Sequence, residues 1–346
     1  MPAYVSRPQT VFGDHKVTTA EITDDIRLHH ADHPRLGAIV RAVGNCGVVT
    51  RYFTRPVAAP TVSGRAELVE RATVAFEDSL AMAERASIAA LDAAGLALAD
   101  IDAIVTAHCT GWAVPSLDIG LVERLGLRPT TRHIALTTYA CAGGVQALIR
   151  AADIVAARPG SKVLVVAAEV ISSVYHHSDT SIESMIYKAL FGDSAAATVV
   201  TSTPLGQGLA IDDSFEYVLP DSLDRYRGRM ALDGFHFNST KKALAAADDV
   251  LPAVVDWLGP GSLDFGVVHP GSPRIISDSA RALGLDDHDV RHSTTTLADE
   301  GNLGGVSVLR ILERTHAEPP EDGTRGAMVA YGPGFATAAL NCHWRA

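Results

Sequence analysis

The sequence of 346 residues is poor in cysteine and in basic residues, and it lacks a long uncharged apolar run. Its four cysteines are widely scattered, without the C-x-x-C pairs of many metal sites or the cysteine density of a secreted disulfide scaffold. With 29 Lys and Arg against 40 Asp and Glu, the formal net charge of -11 disfavours binding to nucleic acids or anionic membranes through bulk electrostatics. No stretch reaches the ~18 uncharged apolar residues that span a bilayer, and the N-terminus lacks a signal-peptide pattern. We expect a cytoplasmic protein with reduced thiols and no bound metal.

The length and the composition predict two fused halves. The chain is 47% apolar and 20% charged, which is typical of globular proteins. It is too long for one small core and about right for two halves of ~150 to 200 residues. Pro204, Gly206, Gly208 and Pro220 interrupt the regular pattern, so we place the boundary between an N-terminal half, 1–205, and a C-terminal half, 206–346.

Strand-like and helix-like patterns alternate along both halves. Apolar residues at helical spacing predict a long helix over 67–94, which Gly95 ends. The segment KVLVVAAEVI is a near-continuous apolar run, typical of a strand buried on both faces. Further helices are predicted over 117–126, 144–157, 243–258 and 307–317, and strands over 101–111, 133–138, 265–269 and 326–340. This order predicts layered α/β architecture.

Cys141 stands between an apolar strand and an amphipathic helix, in TTYACAGGVQALIRAADIVAARPG. A thiol at a helix N-terminus gains thiolate character from the free N–H groups and from the positive end of the helix dipole. Gly143 and Gly144 would let a substrate approach closely. Because free cysteines are also common as small buried hydrophobic residues, this segment alone leaves catalysis and a structural role equally open.

Two polar residues later in the chain occupy comparable positions. His269 lies where the strand FGVVH meets a Pro-Gly turn, a place where α/β sheets present functional groups. Asn302, in EGNLGG, precedes two glycines and an apolar helix. Each is weak evidence alone, since most histidines are structural or on the surface and Asn is a common turn or N-cap residue.

Taken together, Cys141, His269 and Asn302 resemble the Cys, His, Asn set of the chalcone synthase-like, or type III, polyketide synthases. Other segments look like that family in the same order: CTGWAVPSL, AEV, SDTSIESMIYKALFGDSAAA, GFHF, HPGSPRI, EGN and YGPGF. The resemblance runs from about Arg41 to the C-terminus. It implies the thiolase fold, an α/β fold of five layers, αβαβα, with two pseudo-symmetric halves, and it implies a homodimer.

The resemblance also implies a mechanism. Cys141 would attack an acyl thioester and carry the acyl group, while His269 keeps the sulfur ionised. His269 and Asn302 would then donate hydrogen bonds to the thioester carbonyl of a malonyl extender and stabilise the enolate left when carbon dioxide departs. Attack of this enolate on the acyl group would build a small aromatic or pyrone polyketide. The implied substrates are acyl-coenzyme A and malonyl-coenzyme A, without a permanently bound cofactor.

The same resemblance assigns residues to the substrate cavity. Phe191 and Phe235 match two gatekeeping phenylalanines, and Gly332, Pro333 and Gly334 match a loop that shapes the cavity. Four further positions match cavity residues, of which Cys109 is typical of the bacterial branch and three differ from the plant enzymes: Val174, Tyr187 and Gly304. A bulky Tyr187 would shorten the cavity and Gly304 would open it, so starter size and chain length do not transfer.

The segment that corresponds to the tunnel mouth departs most from the family. Plant enzymes place three basic residues there for the phosphates of coenzyme A, whereas AIVRAVGNCGVVTR retains Arg41 and Arg51 as nearby cations. We take Arg41 as the candidate phosphate ligand. Either other residues hold coenzyme A, or the donor arrives on an acyl carrier protein. Val114 occupies the place of a methionine that crosses the dimer interface in relatives.

Two other functions remain open at this point. One is a single-step ketoacyl synthase or acyltransferase of the same fold that uses a carrier-protein donor, and the other is a non-catalytic acyl-binding homologue. An intact His269 and Asn302 favour condensation, since a simple transferase has less need of enolate stabilisation. The presence of Cys141 argues against a non-catalytic homologue.

Overall fold

A computed structural model of the protein describes residues 2–240, 242–243 and 246–346. Within them the α-helices are α1 (Thr19–His29), α2 (Leu36–Gly44), α3 (Leu68–Ala94), α4 (Leu117–Leu125), α5 (Gly143–Ala157), α6 (Ile182–Leu190), α7 (Ala246–Leu258), α8 (Pro273–Leu283), α9 (Arg291–Glu300) and α10 (Ser307–Ala317). The strands are β1 (Ala3–Val5), β2 (Gln9–Phe12), β3 (His15–Thr18), β4 (Thr50–Phe53), β5 (Ala103–His108), β6 (Arg132–Thr137), β7 (Val163–Glu169), β8 (Ser194–Thr201), β9 (Gly208–Val218), β10 (Tyr226–Ala231), β11 (Gly234–Ser239), β12 (Phe265–Val268), β13 (Arg325–Tyr331) and β14 (Ala336–Arg345).

Hydrogen bonds join ten strands into one mixed sheet. Its order is β12-β13-β14-β9-β1-β8-β7-β5-β6, and β2 also pairs with β8. The pairs β5–β6, β5–β7 and β12–β13 are parallel, and the others are antiparallel. The short strand β1 pairs with β8 on one side and with β9 on the other, so it links the strands of the two predicted halves.

The side chains of these strands divide the interior into the five predicted layers. Along β7, Val163 and Val165 pack in one cluster with the apolar faces of α5 and α10, while Leu164 and Val166 pack in another with α3 and α4. On the other side of α5 and α10, β12 and β13 supply the next layer, and their opposite faces pack with α7 and α8. The strands next to α5 are buried on both faces, as their continuous apolar runs predict.

The two central helices approach each other at glycines. A Cβ atom at Gly144 of α5 would lie 2.1 Å from the carbonyl oxygen of Gly305, just before α10, and 2.7 Å from Cγ2 of Val308. Only glycine fits this crossing. The segment Ala140–Ala157 is the one helical stretch of the described residues that is apolar and long enough to cross a membrane, but 67% of it is buried inside the protein. It is the core helix between the two halves.

Most predicted elements are confirmed, with one clear error. The helix predicted over 67–94 is α3, and Gly95 ends it in the left-handed conformation with φ 65°. The helix predicted over 243–258 is present as α7, although residues 244 and 245 lie outside the described residues. The prediction of one strand over 326–340 is wrong: β13 and β14 are antiparallel strands joined by a turn at Gly332–Phe335. The Gly332-Pro333-Gly334 signal marks this turn, and the strand prediction wrongly continued through it.

The proposed boundary between the halves, at 205/206, falls in the loop between β8 and β9. The N-terminal segment nevertheless contributes to both sides, since β1 pairs with β9 and helices α1 and α2 pack in the same cluster as α7 and α8. The division into halves 1–205 and 206–346 therefore stays a prediction.

Candidate active site

Cys141 lies in a strained turn between β6 and α5. It belongs to the short 3-10 turn Ala140–Ala142, which runs directly into the helix, and it is buried with 6% of its surface exposed. Two residues without glycine's freedom, Thr138 and Ala140, have φ values of 67° and 45°. Such left-handed residues are costly and concentrate at functional turns. The structure thus places Cys141 between a strand and a helix, as the sequence predicts, and the left-handed residues of the turn are Thr138 and Ala140.

The backbone fixes Asn302 beside the cysteine. Its N–H donates to the carbonyl of Leu190 at 2.8 Å, and its carbonyl accepts from Gly192 at 3.1 Å. Its side-chain Oδ1 accepts from the N–H of Gly304 at 2.9 Å, which leaves the amide Nδ2 as the donor for the Cys141 sulfur. The side-chain oxygen of Asn302 makes the turn interaction considered from the sequence, and its amide nitrogen remains a positioned hydrogen-bond donor.

His269 follows β12 and is held only through its backbone. Its N–H donates to the carbonyl of Val329 at 2.9 Å, and 2% of its surface is exposed. Neither ring nitrogen, Nδ1 or Nε2, has a hydrogen-bond partner among the described residues. A buried imidazole without partners costs free energy unless a ligand or a reaction uses it. This ring is therefore available for a substrate or for the thiol.

Cys141, His269 and Asn302 line one cavity of about 340 Å³. The rest of its wall is mostly apolar and comes from α6, from α8 and from the strands β10 to β13 with their loops. The lining comprises Glu183, Ile186, Tyr187, Leu190, Phe191, Tyr226, Ser239, Thr240, Ala243, Gly271, Ser272, Arg274, Ile275, Tyr331, Gly332 and Phe335. An apolar cavity with a few converging polar groups is typical of a small-molecule site.

Burial opposes separate charges on the two reactive groups. Burial and the nearby Glu169 raise the pKa of the Cys141 thiol to about 12, although the hydrogen bond from Asn302 lowers it. Burial alone lowers the pKa of His269 to about 3. Both directions favour a neutral thiol and a neutral imidazole in the empty site. The ionised sulfur expected from the family therefore requires proton transfer to His269, and it stays a prediction.

The predicted cavity residues fall into two groups, those that line the cavity and those that lie near it without lining it. Tyr187, Phe191 and Gly332 line the cavity, and a Cβ atom on Gly332 would lie 2.6 Å from the carbonyl oxygen of Tyr139, in the cysteine turn. Phe235 does not line it in the described part of the chain. Its ring lies against Gly228 and packs edge-on to Phe237, with ring centroids 4.9 Å apart.

Pro333 and Gly334 form the turn after Gly332, where Gly334 has φ 64°. They shape the backbone beside the cavity without lining it. Val174 lines a separate small void, whose wall also contains Tyr187 and Phe191. These two aromatic side chains therefore stand between the void and the main cavity.

Cys109 and Gly304 lie beside a buried carboxyl group. The N–H of Cys109 donates to Oε2 of Glu169 at 3.2 Å, and a Cβ atom at Gly304 would lie 3.3 Å from Cγ of Glu169. Burial raises the pKa of Glu169 and that of Cys109, and the two groups face the same region as Cys141. Glu169 belongs to the segment AEV that resembles the family, but no role in the site was predicted for it.

The expected cations are not at the cavity. Arg51 is fully buried at 0% exposure and donates to Thr19, to the carbonyl of Val17 and to that of Ala189. It therefore cannot reach a phosphate in solvent, which corrects its inclusion as a cation of the tunnel mouth. Arg41 is exposed on α2 but does not line the cavity.

Several lining residues were not predicted from the sequence, among them Tyr226, Arg274 and Phe335. Tyr226 stacks on Phe237 with ring centroids 5.4 Å apart. It comes from the β10–β11 hairpin, which is far from Cys141 along the chain. No local signal marks such residues, since only the tertiary fold brings the hairpin over the active site.

Within the described residues, two histidine clusters outside the cavity contain stacked imidazole rings. Asp25, His29 and His177 lie together, but the rings of His29 and His177 are stacked 3.9 Å apart at 12°. A second group, His176, Asp233 and His236, contains a similar stacked pair. A metal ion binds in the plane of each imidazole ring, so face-to-face rings direct their lone pairs in parallel instead of to one point. Hydrogen bonds such as that between His177 Nε2 and Asp25 Oδ2, at 2.9 Å, account for the first cluster.

The layers, the strained cysteine turn and the three polar groups around one cavity define the class of the protein as an enzyme of the thiolase fold. Comparison with known proteins gives the family. Residues 50–204 match the N-terminal domain and residues 211–343 the C-terminal domain of the chalcone and stilbene synthases. The chain therefore belongs to this family, the type III polyketide synthases, which are transferases that form carbon–carbon bonds by Claisen condensation.

Similar proteins are bacterial members of the family. The 1,3,6,8-tetrahydroxynaphthalene synthase of Streptomyces coelicolor is 34% identical over 351 residues, covering 98% of this chain and 92% of the relative. Phloroglucinol synthase of Pseudomonas fluorescens is 30% identical over 346 residues, covering 98% of both. Among solved structures, germicidin synthase of Streptomyces coelicolor superposes with a TM-score of 0.94 at 30% identity, covering 99% of this chain and 100% of that one. The fold predicted from sequence is confirmed by this match.

Proposed function

We propose that this enzyme loads a starter acyl group on Cys141 and extends it with malonyl units to a small aromatic or pyrone polyketide. The observation that carries the proposal is the meeting of Cys141, Asn302 and the unpartnered ring of His269 in one mostly apolar cavity. The cavity of about 340 Å³ suits a product of one or two small rings. The products named for its relatives, tetrahydroxynaphthalene and phloroglucinol, are compounds of this size class.

Each of the three residues has a distinct role in this proposal. Cys141 attacks the starter thioester and releases its thiol, after its proton passes to His269. The Nδ2 amide of Asn302 and an Nε2–H or Nδ1–H of His269 then donate to the thioester oxygen of the malonyl group. As carbon dioxide leaves, the electron pair of the broken bond becomes the enolate, and the enolate carbon attacks the acyl carbonyl on Cys141. The cysteine thiolate is the leaving group. The substrates are acyl-coenzyme A and malonyl-coenzyme A, and no step requires a bound cofactor or metal.

We also propose a homodimer that forms along β6. Within the described residues, this strand pairs only with β5, and it leaves its other edge open. The nearby loop exposes Trp112 at 72% and Val114 at 85%, which is unusual for large apolar side chains. A second copy of the chain would cover both features. Gatekeeping by Phe191 and by Phe235 remains part of the proposal, although only Phe191 lines the cavity.

Malonyl decarboxylation distinguishes the proposed role of Cys141 from those of His269 and Asn302. Without a starter, Cys141→Ala should still convert malonyl-coenzyme A to acetyl-coenzyme A, because His269 and Asn302 remain to stabilise the enolate. Asn302→Ala and His269→Ala should lose this reaction by about 100-fold or more, as expected for removal of an oxyanion-hole donor. The products are measured by chromatography and mass spectrometry. Equal decarboxylation by all three variants would contradict the assignment of the donors.

A further inference from the structure

The cavity mouth carries one cation that the sequence did not indicate. Among the Lys and Arg residues of the described chain, only Arg274 lines the cavity. It is the second residue of α8, after Pro273, and 54% of its side chain is exposed. It lies beside Gly271 and Ser272, which follow the catalytic His269 directly. The cation and the catalytic imidazole are therefore on one short segment of chain.

The other candidate, Arg41, leans away from this mouth. The C-terminal end of α2 abuts α8, since a Cβ atom at Gly47 would lie 2.5 Å from Cγ of Pro273. The Nη1 atom of Arg41 lies 3.7 Å from the position of a Cβ atom at Gly37, one turn toward the start of α2. Its guanidinium group thus extends along the helix in the direction opposite to Pro273.

A buried carboxylate orients Arg274 and leaves its terminal nitrogens available. Nε of Arg274 donates to Oδ2 of Asp278 at 3.0 Å, and Asp278 also accepts from Arg281 at 2.6 Å. Burial acts to raise the pKa of Asp278, but these two hydrogen bonds outweigh it and hold that pKa below its usual value. Asp248 forms a longer ion pair with Nη2, at 3.7 Å and without a hydrogen bond. Within the described residues, Nη1 and Nη2 of Arg274 make no hydrogen bond, so they can bind an anion at the mouth.

We propose that Arg274 binds the phosphate of the 4′-phosphopantetheine arm that carries the acyl group, and that Asp278 is its positioning residue. A guanidinium group presents parallel N–H donors that match two phosphate oxygens. The positive N-terminus of α8 adds to the attraction. The same phosphate occurs in coenzyme A and on an acyl carrier protein, so the contact serves either donor. This inference rests on the proposed function, because it assumes a thioester whose thiol arm enters the cavity.

Binding without turnover tests the contact directly. Isothermal titration calorimetry of the wild type and of Arg274→Ala would use coenzyme A, 4′-phosphopantetheine and pantetheine as probes. Loss of one half-exposed charged contact should weaken the first two ligands by about tenfold and leave pantetheine unchanged. Arg274→Lys should recover part of the loss, and Asp278→Asn should reduce affinity for the same two ligands. Arg65→Ala is the matched control, since Arg65 is exposed and does not line the cavity.

Kinetics then separate this inference from the proposed function. With malonyl-coenzyme A, Arg274→Ala should raise KM by about tenfold with kcat nearly unchanged. With malonyl-pantetheine, the wild type and the variant should have equal kcat/KM. An equal loss on ligands with and without phosphate, or a loss confined to Arg41→Ala, would overturn the assignment. If the enzyme condenses no malonyl thioester but Arg274→Ala still binds the phosphate-containing ligands more weakly, the proposed function is refuted and the contact between Arg274 and the phosphate is supported. Comparing kcat/KM for malonyl-coenzyme A with kcat/KM for a malonyl carrier protein identifies which of the two is the physiological donor.

Discussion

The crossing of the two central helices should tolerate no side chain at Gly144. In Gly144→Ala, the new Cβ atom would begin 2.1 Å from the Gly305 oxygen, whereas ordinary contacts lie at 3.4 Å or more. The backbones must therefore separate by about 1.3 Å, because no flexible side chain can move aside. Overpacking of this kind costs about 1 to 3 kcal/mol or more. Alanine returns up to about 1 kcal/mol of helix propensity, so we expect a net loss of about 2 kcal/mol.

The same displacement of the backbones should also slow acylation of Cys141. Gly305 lies three residues after Asn302, and a Cβ atom there would already lie 2.9 Å from the Ala140 oxygen in the cysteine turn. A shift of about 1 Å between a nucleophile and its partner groups can cost about 100-fold in rate. We therefore expect Tm to fall by about 3 °C and acylation of Cys141 to slow by at least tenfold.

Differential scanning fluorimetry and acylation followed by intact-protein mass measure both effects. Gly44→Ala is the matched control, because Gly44 ends α2 and a Cβ atom added there would meet no other atom within 4 Å. Its Tm should change by about 1 °C or less. An unchanged Tm in Gly144→Ala together with normal acylation would refute the account of this helix crossing.

Three further predictions concern the thiol, the cavity and the dimer. Because burial raises the pKa of Cys141 and lowers that of His269, thiolate below the thiol pKa requires direct proton transfer between the two groups; His269→Gln should therefore move iodoacetamide labelling of Cys141 to more alkaline pH than in the wild type, and identical pH profiles would contradict this role. Tyr187→Ala should open the cavity toward the void beside Val174 and lengthen the products by at least one malonyl-derived unit. The control Tyr187→Phe should leave product length unchanged, and product lengths are measured by chromatography with mass spectrometry. Val114→Asp should weaken dimerisation by at least tenfold in light scattering, whereas Leu232→Asp, on the exposed turn between β10 and β11, should not. A monomeric wild type at micromolar concentration would refute the dimer.

Local patterns predicted most of the elements and indicated the family, because both can be recognised from short segments. Helical spacing with a terminal glycine located α3 and α4, and the order of segments around Cys141, His269 and Asn302 indicated the family. The residue-by-residue prediction failed where tertiary structure decides. Arg51 was expected at the surface, yet its guanidinium is buried among backbone carbonyls.

The cavity wall was harder to predict than the catalytic residues for a physical reason. Phe235 and Phe237 lie two residues apart on β11 and share one face of the hairpin, and how the hairpin lies over the sheet decides which of the two reaches the cavity. Arg274 was overlooked because an arginine in the first turn of a helix is ordinary in sequence. Its significance appears only when Asp278, one turn later, orients it at the mouth of the cavity.

Intact-protein mass after incubation with a panel of acyl-coenzyme A thioesters, with and without malonyl-coenzyme A, tests the central claim most directly. The account predicts a covalent acyl adduct on the wild type, none on Cys141→Ala, and conversion of the adduct into a released small product when malonyl-coenzyme A is added. An adduct that persists in the presence of malonyl-coenzyme A would mean acyl transfer without condensation. An adduct of equal mass on Cys141→Ala would contradict the assignment of the nucleophile.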